Sequence, residues 1–479
     1  MSLLAALLLL QSAPGVSPPP ADWAARLRED ATAFRDAVMD SHPGPVNAED
    51  PGFTARLDRA YARALDRART AAAFPHYVWA LRELTAAFDD GHVGVEAAQA
   101  EVNSYPWRYR WAGIVTALRG DAHVVVSSEE AAVPAGAVLE RCDGQAADSL
   151  AADRIGRFSG RWVLRSRREA NSGALLLPAD NPWLPTIRTC SFAVKGARRT
   201  VKLNWRPLTA ERRSELLAAA TGTRFTTGIG IERLGDGTVW INAGSFDGNV
   251  ETEQGRALAA MTKEVDRWAP EIRSAPRMVF DLRGNGGGSS TWTNAMASSL
   301  WGAATADRAV PDTAVDWRTS DANYNTVTGY VERFTRTRAS NEQAYQWVVA
   351  IEAGLRSARE RGDKLWRQAA DVPPPANPLD PKVTAKAFVL TDFGCASACL
   401  DAVDLLTALG AVQVGQETSA DTLYMEIRGQ AQPSGARVWI PMKVYRDRKR
   451  GSNEPVQPTH RWTGDMGDTE AIRRWIAGL

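Results

Sequence analysis

The spacing of apolar and polar positions changes character twice along the chain. Up to about residue 104, apolar positions recur at helical spacing through WAARLREDATAFRDAVMD and again through FPHYVWALRELTAAF, with Pro43 and Pro45 as punctuation. From about 105 to 207 short β runs with Gly and Pro turns take over, among them HVVVSSEE, AGAVLERCDGQ and RRTVKLNWR. Beyond 208 strands and helices alternate. GTVWINAGSF reads as a strand, GRALAAMTKEVDRWAPEI as an amphipathic helix, and RMVFDLRGN as a second strand, apolar throughout and so expected to be buried on both faces. KAFVLTDFG, ACLDAVDLLTAL and AVQVGQE repeat the order, with Gly410 stopping the helix. The alternation predicts parallel βαβ units in an α/β core. An insertion of roughly 300–383 interrupts it, and its centre, NEQAYQWVVAIEAGLRSARERGDKLWRQ, reads as a long helix. LYMEIRGQ and RVWIPMKVYR, joined by PSG, read as an antiparallel pair.

With 479 residues, two or three domains are expected, and 44% apolar with 24% charged residues is ordinary globular composition. A net charge near +1 argues against a nucleic acid or an anionic membrane as partner. The densest basic run (Arg446, Arg448, Lys449, Arg450) reads as a solvated strand end rather than an anion site. At the start, the apolar stretch Leu3 to Leu10, the small residues Ser12 and Ala13 and a proline-rich break resemble a short secretory signal over residues 1–20. That stretch is too short to span a bilayer, so export to the periplasm or the outside is expected, without a membrane span. Four cysteines suit such a protein with at most two disulfides; Cys142 and Cys190 can pair, and the state of Cys395 and Cys399 is open. The five histidines (His42, His76, His92, His123, His460) show no metal-ligand spacing, so neither metal nor cofactor is expected.

Two segments carry candidate chemistry. In GCASACLDAVDLL a buried strand enters a tight turn, then Ser397, then a helix, which puts the hydroxyl at the positive helix end and turns the next N–H outward. The bland alternative is a serine that caps the helix. In DLRGNGGGSS, residues 281–290, clustered glycines let backbone N–H groups approach a ligand. The Lys-Ser/Thr of a phosphate loop is missing, so a second oxyanion donor is the better use.

A strand ending in DLRGNGGG, then a strand, a Ser-Ala step, a helix and VGQET is similar to the tail-specific, or C-terminal-processing, serine peptidases (serine peptidase family 41). DDGHVGV upstream resembles their Asp-x-His element, and NEPVQP their closing segment. The resemblance implies a crotonase- or ClpP-like core over 208–479 behind a helical cap at 21–104, with the helical insertion inside the core. It also implies a PDZ-like module at 105–207, which VPAGAVLERCDGQAADSLAADRI resembles in its order of strand, turn and helix. The family's lysine design is disfavoured, because GQETSADT carries Asp421 where the lysine is expected and no Lys lies between Ser397 and Lys443. The tricorn-type Ser-His-Glu subgroup fits better. It implies Ser397 as nucleophile, His92 as base and Glu454 as the acid, with His460 a rival base and Glu417 and Asp421 rival acids. Ala398 and Gly287 (or Gly286) are the implied oxyanion donors. A polypeptide substrate follows, with a homo-oligomer left open. A non-catalytic binder of an apolar ligand or peptide on the same fold is the alternative reading. An acyl-CoA enzyme would need a basic nucleotide pocket that the sequence does not display.

Overall fold

The computed structural model describes residues 22–479 except 222–224, 226, 311, 312 and 341. The export signal expected at 1–20 lies outside the described residues. Helices α1 (Trp23–Ser41), α2 (Phe53–Ala68) and α3 (Phe74–Ala86) form the cap. Asp22 caps α1 by accepting from the Ala25 N–H at 2.9 Å, and Pro75 sits in the first turn of α3, where its missing N–H costs nothing. Leu27, Phe34, Leu57, Tyr77 and Leu84 bury the shared face.

The cap core does not close on itself. Tyr424, Val438, Ile440 and Val444 complete it from the hairpin of strands Tyr424–Ala431 and Arg437–Tyr445. Past α3 the chain forms the His92 loop and then strand Gly94–Glu96, which pairs antiparallel with that hairpin, Gly94 opposite Trp439. The middle segment is an antiparallel sheet of strands Ile114–Arg119, Ala122–Ser128, Val138–Cys142, Thr189–Val194 and Ala197–Lys202. Cys142 and Cys190 face each other in register and are bridged.

The α/β core is a sheet in the order β1 (Ile229–Arg233), β2 (Val239–Ala243), β3 (Arg277–Asp281), β4 (Lys386–Thr391), β5 (Val412–Gly415), β6 (His460–Arg461). β1 runs antiparallel to β2, and every later pair is parallel. β3 and β4 are neighbours although about a hundred residues separate them. Their apolar runs are buried on both faces, as continuous apolar strands require. Helices α4 (Glu253–Arg267) and α5 (Thr291–Trp301) cover one face. In the insertion lie α6 (Asp321–Arg336) and α7 (Glu342–Glu360), and its strands Val315–Arg318 and Leu365–Gln368 extend the sheet of the hairpin. The helix after β4 is α8 (Ala398–Ala408). Among the described residues no helix is long and apolar enough to cross a membrane.

Candidate active site

Parallel neighbours β3 and β4 end at the same edge of the sheet, so the loops that follow them meet there. After β4, Asp392 ties the two together: its carboxylate accepts from Gly394 N at 2.8 Å in its own turn and from Gly284 N at 2.9 Å across the gap. Burial pushes this carboxyl up to about 6. Ser397 then adopts φ 55° and ψ −126° and serves as the N-cap of α8. A left-handed backbone at a non-glycine residue costs on the order of 1–3 kcal/mol and persists only where its surroundings impose it. The ordinary reason for a serine here, capping, does not apply: its side chain makes no capping hydrogen bond. The Ser397 hydroxyl has no hydrogen-bond partner among the described residues, nor has the buried Ala398 N–H at the start of α8. Cys395 and Cys399, on either side, are bridged.

The glycine loop after β3 packs directly on this turn. A Cβ on Gly287 would lie 2.6 Å from both Ser397 Cβ and Ala396 O, and 3.0 Å from Ala398 N. Only a glycine permits that approach, and at φ 99° only a glycine is unstrained. The loop is anchored from beneath by the fully buried pair of Asp281 and Arg283, whose guanidinium also donates to Met466 O at 2.6 Å, while Trp240 Nε1 donates to Asp281 at 3.1 Å. The Gly287 N–H is already engaged, donating to Asn285 Oδ1 at 2.8 Å. Gly287 is therefore the close-approach residue. The N–H groups of Gly286 and Gly288, which have no partner among the described residues, are the ones free to bind an anion beside Ala398.

His92 arrives from the cap. Its backbone N–H donates to Asp90 Oδ1 at 2.7 Å, and its Nδ1 lies 3.5 Å from the same oxygen, long for a hydrogen bond but close for a charge pair. Asp90 Oδ2 accepts from Thr422 Oγ1 at 2.8 Å. Asp421, next in chain, completes the local field. Burial alone would lower the His92 pKa, but Asp90 and then Asp421 outweigh it, and the net shift is above 6.5. Asp90 is held below the usual carboxylate range, since His92 and Thr422 overcome the effect of burial. Nδ1 is sealed from solvent; Nε2, with no described partner, is not. Arg161 clamps the loop: its N–H donates to Asp89 at 2.7 Å, its guanidinium donates to Ala420 O at 2.7 Å, and it lies 2.7 Å from where a Gly91 Cβ would be.

His92 and Ser397 make no hydrogen bond to each other among the described residues; an ion-pair network runs from Asp421, beside His92, to the helix that follows Ser397. Asp421 receives Arg448 at 3.5 Å, and Arg448 reaches Asp401, one turn into α8, at 3.1 Å. Arg450 pairs with Asp401 and Asp404 of the same helix. Burial, ahead of the nearby charges, pushes Asp421 up to about 6 and Asp404 to about 7. The basic run expected at a solvated strand end is thus largely buried. Arg446, 5% exposed, pairs with Asp316 at 2.7 Å.

The other sequence candidates have other partners. Glu454 is exposed and accepts from Gly451 N at 2.9 Å within its own turn, so the carboxylate beside His92 is Asp90. Glu417 receives Gln457 at 2.9 Å. His460 is exposed on β6. His42 is fully buried, stacked 4.5 Å from Phe53, with its Nδ1 accepting from Gly44 N; burial drives it down to about 3. His123 is buried in the middle sheet. Lys443 is held among Trp317, Trp347 and Tyr445 with Glu426 at 3.6 Å. Burial alone would lower its pKa, yet Tyr445 and Glu426 raise it overall, so it stays an ammonium and cannot accept a proton. Sequence reasoning missed the pairing of Asp90 with His92, although the Asp-x-His spacing carried the signal. It missed Arg161 too, for which no local signal exists.

No protein-family model matches this chain, and no curated protein matches it. Solved structures do. Mature CPAF aligns at TM-score 0.56 over 92% of this chain and 93% of that one, with 13% identity. A CPAF mutant aligns at 0.59 with 14% identity over the same shares, and CPAF complexed with lactacystin at 0.53 with 13% identity over 92% and 94%. At such identity the match establishes the fold. This chain has the α/β fold of CPAF.

Proposed function

We propose that the protein is a serine peptidase that cleaves polypeptides through an acyl-enzyme on Ser397. The observation that carries this reading is a strained serine, not engaged in capping, with an unpartnered N–H immediately after it on a helix start. Ser397 Oγ attacks the peptide carbonyl as His92 Nε2 takes its proton. The oxyanion is received by Ala398 N–H and by Gly286 or Gly288. The C–N bond breaks as His92 returns the proton to the leaving amine, and water, deprotonated by His92, then releases the acyl group as a carboxylic acid. Asp90 holds the imidazole and stabilises its cation, the role the sequence assigned to Glu454. No hydrogen bond joins His92 to Ser397 among the described residues, so this reading requires substrate binding to bring Nε2 and Oγ into one.

The crotonase- or ClpP-like character of the core, the PDZ-like character of residues 105–207 and export across a membrane belong to the same reading. Two disulfides favour export, because such bridges persist in oxidising compartments. Against an apolar-ligand binder stands the use of its large aromatics: Trp240 and Trp317 are fully buried packing residues.

The test is a fluorophosphonate probe on the folded protein. Covalent labelling at Ser397, lost in Ser397→Ala and strongly slowed in His92→Ala, supports the reading. A folded wild type that does not label overturns it.

A further inference from the structure

We infer that the Cys395–Cys399 bridge is a positioning device for the nucleophile rather than a stabiliser of the fold; this rests on the peptidase reading. The bridge joins the second residue before Ser397 to the second residue after it, a sequence separation of 4. Both cysteines are fully buried in the core under α8. So short a loop removes little freedom from the unfolded chain, whereas Cys142–Cys190, separated by 48 residues, removes more. The placement has a different consequence. Ser397 is the left-handed residue of the turn, and the segment around it is otherwise held by Cys395 N donating to Asp392 O at 3.2 Å, Cys399 N to Ala396 O at 3.1 Å, Leu400 N and Asp401 N to Ser397 O at 2.8 and 3.4 Å, and Ala396 N to Asn285 O at 3.4 Å.

None of those hydrogen bonds fixes the φ of Ser397, and each is compatible with a relaxed turn in which the serine becomes an ordinary helix cap. Such a relaxation would swing the hydroxyl onto the helix N–H groups and redirect the Ala398 N–H. The covalent link on both sides, with Gly287 pressed on the Ser397 Cβ, opposes it. Cys395 and Cys399 are therefore positioning residues. Neither sulfur takes part in the reaction.

The experiment compares Cys395→Ala/Cys399→Ala with Cys142→Ala/Cys190→Ala, following fluorophosphonate labelling rate and thermal midpoint. Displacing a reacting atom by about 1 Å costs on the order of 10²-fold in rate. The first variant is expected to label slower by roughly that factor, with the pH midpoint of labelling unchanged because His92 is untouched. Its thermal midpoint should fall less than that of the second variant, which should label at nearly the wild-type rate. Should the first variant fail to fold, dithiothreitol on the folded wild type replaces it: each bridge becomes two thiols as the reagent closes to its cyclic disulfide. Labelling should then slow, and recover on reoxidation. Unchanged labelling after loss of the Cys395–Cys399 bridge, confirmed by mass, overturns the inference while leaving the peptidase reading intact. A wild type that never labels sinks both.

Discussion

One oxygen of Asp90 contacts His92 twice, accepting its backbone N–H at 2.7 Å and lying 3.5 Å from its Nδ1. The carboxylate paired with His92 is thus carried by its own loop, two residues ahead of it.

Asp90→Asn keeps the shape and removes the charge. In a Ser-His-Asp arrangement such a change lowers kcat by about 10⁴-fold, and a loss of at least about 10²-fold is expected here. Glu454→Gln should stay within about threefold of wild type, because its exposed carboxylate accepts from Gly451 N rather than from His92. Steady-state kinetics of both variants decide the matter; the opposite ranking would return the acid role to Glu454.

Activity and stability should respond to His92 in opposite directions. A pKa raised above 6.5 means the fold favours the imidazolium, so that contribution to stability is complete below pH 6.5 and fades as pH rises through the folded value. Catalysis needs the neutral ring. The acid limb of kcat/KM should therefore have its midpoint above 6.5, and both Asp90→Asn and Asp421→Asn should move it downward. A limb at or below 6.5 in the wild type would contradict the charge arrangement.

Gly287→Ala brings a methyl group to within 2.6 Å of Ser397 Cβ and Ala396 O. Backbone must yield, and the nucleophile turn is what lies in the way. Labelling of Ser397 should fall by on the order of 10²-fold while circular dichroism stays native. Gly286→Ala, which meets nothing within 4 Å, is the control for loop chemistry.

His42 supplies an acid-sensitive element that the proposed chemistry does not use. Its pKa is about 3 in the fold and 6.5 when free, so its contribution to stability is full above pH 6.5 and is lost as pH falls toward 3. Over that window unfolding free energy should drop by up to about 1.4 kcal/mol per pH unit from this one proton. Urea titrations of wild type and His42→Phe, taken at several pH values, should diverge below 6.5. Parallel curves would remove His42 from the account.

The core was legible in the sequence because each buried strand is an unbroken apolar run and each helix has a clear stop, as at Gly410. The Ser397 turn was legible for the same reason: the strand before it and the helix after it leave a single sharp connection. What the sequence concealed is the fate of charges. Arg446, Arg448 and Arg450 look solvated in a run, and their burial follows from Asp316, Asp401, Asp404 and Asp421 converging from distant segments. The engagement of the Gly287 N–H was hidden likewise, since it depends on which way the Asn285 side chain turns.

The imidazole is supplied near residue 92 and the hydroxyl near 397, and the clamp on the imidazole loop reaches in from Arg161 in the segment between them. If the proposed roles hold, no excised portion of the polypeptide is self-sufficient: residues 208–479 alone would carry Ser397 without His92. Turnover would accordingly report on the integrity of the entire molecule, and one nick that let the halves part would silence it.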